Sequence, residues 1–205
     1  MEVSMNSKTF DRKDQLIAAA LDEFIDKNYE KASLNTIIKN ANLSKGVFYY
    51  HFKNKESLYI AVLEDATNKK WKYIKERTSN QDYSSLNIFD QFLYQTEISI
   101  EFANEHPKYH QLGGMLLKEK GTPIYTTALK HIGGSGIDIL EKMIKEAYDK
   151  GDINNDYPID FTIQLLTHLF SEFDNIFTFQ DDDDLQKKKD VLKHYYSFMR
   201  HGLNP

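Results

Sequence analysis

Residues 33–58 read SLNTIIKNANLSKGVFYYHFKNKESL and gather hydroxyl, ammonium and phenol groups around one tight turn. Their chemistry is recognition rather than bond making. The spacing predicts two short helices, the second opening at Ser44, whose hydroxyl can accept from backbone N–H groups that the first helical turn leaves unpaired. Phe48 and Phe52 are four residues apart, share one helix face and can anchor it on a core. Lys45, Tyr49 and Tyr50 then point elsewhere. A helix that buries one edge and offers Lys, Tyr and Ser on the other suits the major groove of DNA.

Charge follows the same pattern. From Lys31 to Lys55 the sequence holds Lys31, Lys39, Lys45, Lys53 and Lys55 and neither Asp nor Glu, while the whole chain has 31 acids against 26 bases, a net charge of −5. A cationic window in an acidic protein is the electrostatic footprint expected where a surface meets phosphates. A solvated lysine face is the alternative that charge alone leaves open.

Ile37 and Ala41, Leu43-Ser44 at the turn, Ser44-Lys45-Gly46, the run Phe48-Tyr49-Tyr50-His51-Phe52 and Lys55-Glu56-Ser57-Leu58 together resemble the DNA-binding signature of the TetR family of one-component transcriptional regulators. The resemblance covers residues 8–64; beyond them only the helical layout matches. It implies that Ser33 and Thr36 lie near phosphates at the start of the first motif helix. It also implies that Ser44, Lys45 and Gly46 open the recognition helix, with Gly46 letting backbone approach the duplex. Tyr49, Tyr50 and His51 would reach bases or phosphates, and Lys55 would meet the DNA backbone. Lys45 is the candidate for reading a base, since Lys donates to guanine O6 and N7. Tyr49 and His51 can instead pack on the motif core with only a polar tip exposed, and Phe48 and Phe52 belong to packing.

The elements that must position these residues are helical. The chain has 205 residues, four prolines and nine glycines, with 13 Phe and 13 Tyr, and helix formers dominate, so an all-α fold is expected. It divides into a helix-turn-helix head (1–64) and a larger helical effector-binding and dimerisation domain (65–205). Leu16, Ile17, Ala20, Leu21 and Phe24 make one apolar stripe on a helix over 11–27. Asn54 caps a long helix reaching residue 77, and residues 79–85 form a polar break. Helices follow over 86–104, 109–120, 123–150 and 158–179. His106-Pro107 precedes the second of these, Gly133, Gly134 and Gly136 break the third, and Gly151 caps it. Asp181–Asp184 open the final helix at the positive end of its dipole.

Zero cysteines exclude disulfides, cysteine-ligated zinc and thiol redox chemistry. No apolar run approaches a membrane span, and the N-terminus lacks the apolar region of a signal peptide, so a cytoplasmic protein is expected. His106 and His110 have a metal-binding spacing, but Pro107 interrupts the helix, so no metal site is expected. Gly133-Gly134-Ser135-Gly136 lacks the Lys-Ser/Thr of a phosphate loop. No GxSxG elbow or set of acid, base and nucleophile appears, and neither a catalytic residue nor a cofactor is assigned.

The larger domain resembles an effector-binding domain whose ligand loosens DNA binding. Its pocket candidates are Phe89, Phe92, Phe102, Met115, Leu116, Tyr125, Ile132, Phe161, Leu165 and His168, a lining suited to a small hydrophobic or aromatic ligand. Most of these are also what a plain core would contain. The helix over 158–179 is apolar on two faces, one for the subunit and one for a partner. Phe170, Phe173, Phe177, Leu192, Tyr195 and Met199 are the dimer-interface candidates, and the resemblance implies a four-helix interface between symmetry mates. The expected function is a homodimeric repressor released from a palindromic operator by an effector. The alternative is a constitutive or partner-controlled DNA-binding protein.

Overall fold

The computed structural model describes residues 2–79, 81–177 and 185–203. Every regular element among them is a helix: α1 (Glu2–Asp26), α2 (Leu34–Asn40), α3 (Lys45–His51), α4 (Lys55–Thr78), α5 (Gln81–Ser85), α6 (Ile88–Glu105), α7 (Pro107–Lys118), α8 (Pro123–Ile132), α9 (Gly134–Lys150), α10 (Ile159–Ser171), α11 (Phe173–Ile176) and α12 (Leu185–Leu203). The all-α expectation therefore holds. The chain folds as two compact units, one of Met1–Lys70 with Ala103–Gly133, the other of Trp71–Phe102 with Gly134–Pro205.

The first unit is built on the stripe of α1. Leu16, Ala20 and Phe24 pack against Ile37 and Ile38 of α2, Phe48 of α3, Leu58, Tyr59, Val62 and Leu63 of α4, Leu112 and Leu116 of α7, and Ile124 and Ala128 of α8. Packing thus groups α7 and α8 with the head, whereas the sequence division at 64/65 separates them from it. Phe24 and Tyr59 meet edge to face at 4.7 Å, an arrangement worth about 1 kcal/mol beyond the area buried. Pro107 and Pro123 open α7 and α8, where a missing N–H costs nothing.

Between α2 and α3 the chain reverses through a Schellman cap. Leu43 N donates to Ile38 O at 3.2 Å, Asn42 N to Lys39 O at 3.0 Å, and Asn42 takes the left-handed conformation with φ 54°. Leu43 then packs on the head core, completing the apolar contact usual in this cap. The turn angle of the motif therefore rests on Asn42, a residue type that tolerates positive φ.

In the second unit Ile88, Phe89, Ile144, Ala147, Ile153, Leu166, Phe173, Leu192, Tyr195 and Met199 form the core, with Phe92, Phe170 and Phe177 packed on it. Three sequence expectations are corrected here. The polar break over 79–85 contains the short helix α5. The helix expected over 158–179 breaks at Glu172 into α10 and α11. The break turns Phe173 into the core, within 5.1 Å of the Phe177 ring and 5.4 Å of Tyr195. Thirdly, four of the six dimer-interface candidates, Phe173, Leu192, Tyr195 and Met199, are buried within their own subunit and have little surface left for a partner. Their sequence period marks an apolar face without telling which side of it is already covered. Asp181–Asp184 and the end of the 158–179 expectation lie outside the described residues.

The break near Gly133 is present, with α8 ending at Ile132 and α9 beginning at Gly134. A Cβ at position 133 would lie 2.7 Å from Leu129 O, so any side chain there forces a shift. Gly151 closes α9 with φ 81°, as the sequence predicts.

The left-handed cap gives a stability test. Asn42→Val is expected to cost about 1–2 kcal/mol, because a β-branched residue resists this conformation. Asn42→Gly should stay within about 1 kcal/mol of the parent. Urea unfolding of the two variants checks the contrast.

Candidate nucleic-acid interface

The surface is set by what α3 buries. Phe48 is fully buried, and Phe52, its C-cap, is nearly so. With those positions inward, Tyr49 is 61% and Tyr50 75% exposed, and Ser44, Lys45 and Gly46 stand in solvent with them. Exposed tyrosines on a seven-residue helix are costly to leave in water and useful to a partner with both apolar and polar edges. Ser44 caps the helix, its Oγ accepting from Val47 N at 3.3 Å. A Cβ at Gly46 would meet only Ser44 Oγ at 3.7 Å, so the subunit's own packing does not require glycine there.

Next to α3, Ser33 caps α2 by accepting from Thr36 N at 3.3 Å, and its own N–H donates to Glu23 Oε1 at 2.9 Å. Ser33 and Thr36 are half-buried, while Lys39 and Lys53 are exposed. Burial raises the Glu23 carboxyl, but the Ser33 N–H and the Lys27 ammonium outweigh it and hold its pKa below the usual carboxylate value. Glu23 thus enters as a structural anion behind a cationic surface.

Lys55 is placed differently from its sequence expectation. Its Nζ donates to Tyr29 O at 2.7 Å and to Glu30 O and Ala32 O at 3.2 Å each, and it lies 4.6 Å from the Tyr29 ring centroid. An ammonium has three donors, and here all three are directed at the α1–α2 loop, so Lys55 braces the motif rather than reaching out to phosphate.

His51 is half-buried with its ring 4.9 Å from Tyr50. Desolvation, then the charges of Lys13 and Arg12, lower its pKa. Arg12 and Lys13, both exposed on α1, therefore share the field of the recognition helix. The sequence reading missed them because they lie outside the 31–55 window; the signal was the basic dipeptide on the head's first helix.

The pocket candidates fall into separate places. Leu116, Tyr125 and Ile132 belong to the core of the first unit, and Met115 lies half-buried beside them on α7. Phe89 and Phe92 belong to the core of the second, and Phe102 meets Tyr73 edge to face at 5.3 Å. On α10, Leu165 is half-buried while Phe161 and His168 are exposed. Four of the ten therefore belong to the first unit and six to the second.

Comparison with known proteins places this geometry. Residues 16–62 match the family model described as bacterial regulatory proteins, tetR family. The chain is 23% identical over 201 residues to the HTH-type transcriptional regulator QacR of Staphylococcus aureus, covering 94% of this chain and 98% of that one. It is 38% identical over 56 residues to IcaR of Staphylococcus epidermidis, a negative transcriptional regulator of a biofilm operon, covering 27% of this chain and 30% of that one. The crystal structure of a TetR-family regulator from Syntrophomonas wolfei superposes with a TM-score of 0.72 at 19% identity, over 94% of this chain and 96% of the other.

The position of His51 generates a pH test with two opposite signs. A folded-state pKa below the unfolded value means the unfolded chain binds protons first, so His51 makes the head less stable as pH falls through the histidine range. Phosphate favours imidazolium, so DNA binding should take up a proton at His51 and tighten over roughly pH 8 to 6. Anisotropy titrations at constant ionic strength should show this tightening in the parent and a smaller one in His51→Gln.

A matched helix-turn-helix signature, a short helix with its polar face in solvent, and a shared fold along nearly the whole chain agree: residues 16–62 form a tetR-family DNA-binding domain, and the chain as a whole is similar to transcriptional regulators that carry it.

Proposed function

We propose that this regulator is a homodimeric repressor that binds a palindromic operator through α3 and is released by a small hydrophobic or aromatic effector. The exposure of Lys45, Tyr49 and Tyr50 around buried Phe48 carries the reading. Lys45 donates to a base edge, Tyr49 and Tyr50 contact base or phosphate, and Lys39, Lys53, Arg12 and Lys13 supply field and backbone contacts. A seven-residue helix reads too few base pairs alone, and a two-fold pair doubles the site. The negative regulation named for IcaR supports the sign.

Within the second unit, α10 to α12 leave large apolar groups uncovered: Phe161, Ile176 and Phe198, the last 74% exposed. These, rather than the buried four, are the dimer contacts of this proposal. The effector reading draws on α6, where Thr96 Oγ1 lies 3.2 Å from Tyr196 Oη and Gln95 donates to Tyr83 Oη. Phe92, Phe170 and Tyr196 pack beside them as tilted rings with centroids 4.1–6.2 Å apart. Polar groups within an aromatic cluster favour a flat ligand with few hydrogen-bonding atoms. Thermal stabilisation by a panel of aromatic ligands, with release of bound DNA, separates this reading from a constitutive regulator.

Lys45→Ala and Tyr49→Phe are expected to weaken binding to a duplex enriched from a random pool by the parent, leaving melting temperature and oligomeric state unchanged. Because Lys45 reads a base edge in this proposal, Lys45→Ala should leave the salt slope unchanged; a slope lowered by about one would mark a phosphate contact instead. Parental affinity in both variants at matched salt sinks the docking model. Separately, Phe198→Asp is expected to yield monomers in sedimentation; an intact dimer would place the interface elsewhere.

A further inference from the structure

The loop between α1 and α2 is held by side chains from three directions. Lys55 takes the carbonyls of Tyr29, Glu30 and Ala32, and Glu23 accepts from Ser33 N. The third is Glu119, ninety residues away in sequence, whose Oε1 accepts from Tyr29 N at 2.9 Å. Glu119 is only 4% exposed. Burying a carboxylate is expensive, and a bond to it is worth more than one between neutral groups.

Glu119 is itself held on a rigid corner. As C-cap of α7 it donates its N–H to Leu116 O at 3.0 Å, and its carbonyl accepts from Thr122 N at 2.9 Å and Thr122 Oγ1 at 2.7 Å. Thr122 in turn caps α8 by accepting from Tyr125 N. The corner is fixed to α1 by Leu112, Leu116 and Ile124 in the shared core and by Lys108 Nζ, 2.6 Å from Asp22 Oδ1. Four residues beyond Tyr29, Ser33 starts α2, and the Schellman cap passes the orientation of α2 to α3. From Tyr29 to Tyr49 the caps at Ser33 and Ser44 and the Schellman turn between them tie each segment to the next.

We propose that Glu119 is a positioning residue for DNA recognition: by fixing Tyr29 N–H it sets the entry of α2, and so the presentation of α3, from the α7–α8 corner. The proposal rests on the DNA-binding role of α3. Glu119 itself touches no DNA, so its loss must lower affinity without changing the number of phosphates contacted.

The test uses full-length protein and the duplex enriched from a random pool by the parent. Glu119→Ala, with affinity expressed per folded dimer, is expected to bind on the order of tenfold more weakly. Its salt slope should stay parental, and Tyr29 N–H should exchange faster. Glu119→Gln keeps an acceptor oxygen, should fold where Ala does not, and is expected to recover most of the affinity and of the Tyr29 protection. Parental affinity in a variant whose Tyr29 amide has lost protection overturns the proposal, because Glu119 then serves stability alone. A slope lowered by about one overturns it too, since that marks a lost phosphate contact. A pool from which the parent enriches nothing overturns the DNA-binding reading of α3 and this proposal with it.

Discussion

The burial of Phe48 is the contact on which the interface depends. A seven-residue helix is far below the length at which isolated helices persist in water, so α3 exists because the head core takes its inner edge. Phe48 is fully buried and Phe52 nearly so, each worth about 1.5–3 kcal/mol of apolar transfer. That anchoring fixes rotation about the helix axis. It is why Tyr49, Tyr50 and Lys45 have no choice but to face out, and why the exposed set is a defined surface rather than a frayed turn.

Residue type alone does not decide what a charge does in this head. Lys45 and Lys55 are ten residues apart in one basic run. Lys55 reaches three backbone carbonyls and the Tyr29 ring, whereas Lys45 lies on the exposed first turn of α3. The difference is geometric: Lys55 opens α4 directly beneath the α1–α2 loop, where carbonyls left over at a helix end need donors. Glu23 and Glu119 supply the complementary acceptors for the amides of Ser33 and Tyr29. A loop whose donors and acceptors are both answered by ions from other elements can be short, polar and still rigid.

This division explains what the sequence shows and what it hides. Ser33, Ser44, Asn54, Pro107, Pro123 and Gly151 act within one turn of themselves, so the helix ends they mark could be placed from sequence. The Phe48–Phe52 period likewise gave the buried face of α3. Lys55 looked like a phosphate contact because its carbonyl partners lie more than twenty residues away. Met199 and Tyr195 looked like interface because an apolar period records burial but not which body does the burying. The break at Glu172 has no Gly or Pro to announce it; packing of Phe173 against Phe177 and Tyr195 overrides the continuous helical pattern. Arg12 and Lys13 became relevant only once α1 was seen beside His51.

The composition of the head core changes what counts as the DNA-binding part of this chain. Leu112 and Ala128 are as thoroughly buried as Leu16 and Phe48, and in the same cluster. Close-packed interiors transmit strain rather than absorb it, so α7 and α8 cannot move without repacking the face on which α1 and α4 rest. A head truncated at residue 64 would expose the apolar sides of Leu16, Phe24 and Tyr59 and leave Tyr29 N–H without its carboxylate. Any change at the α7–α8 corner is therefore already a change in the body that holds α3.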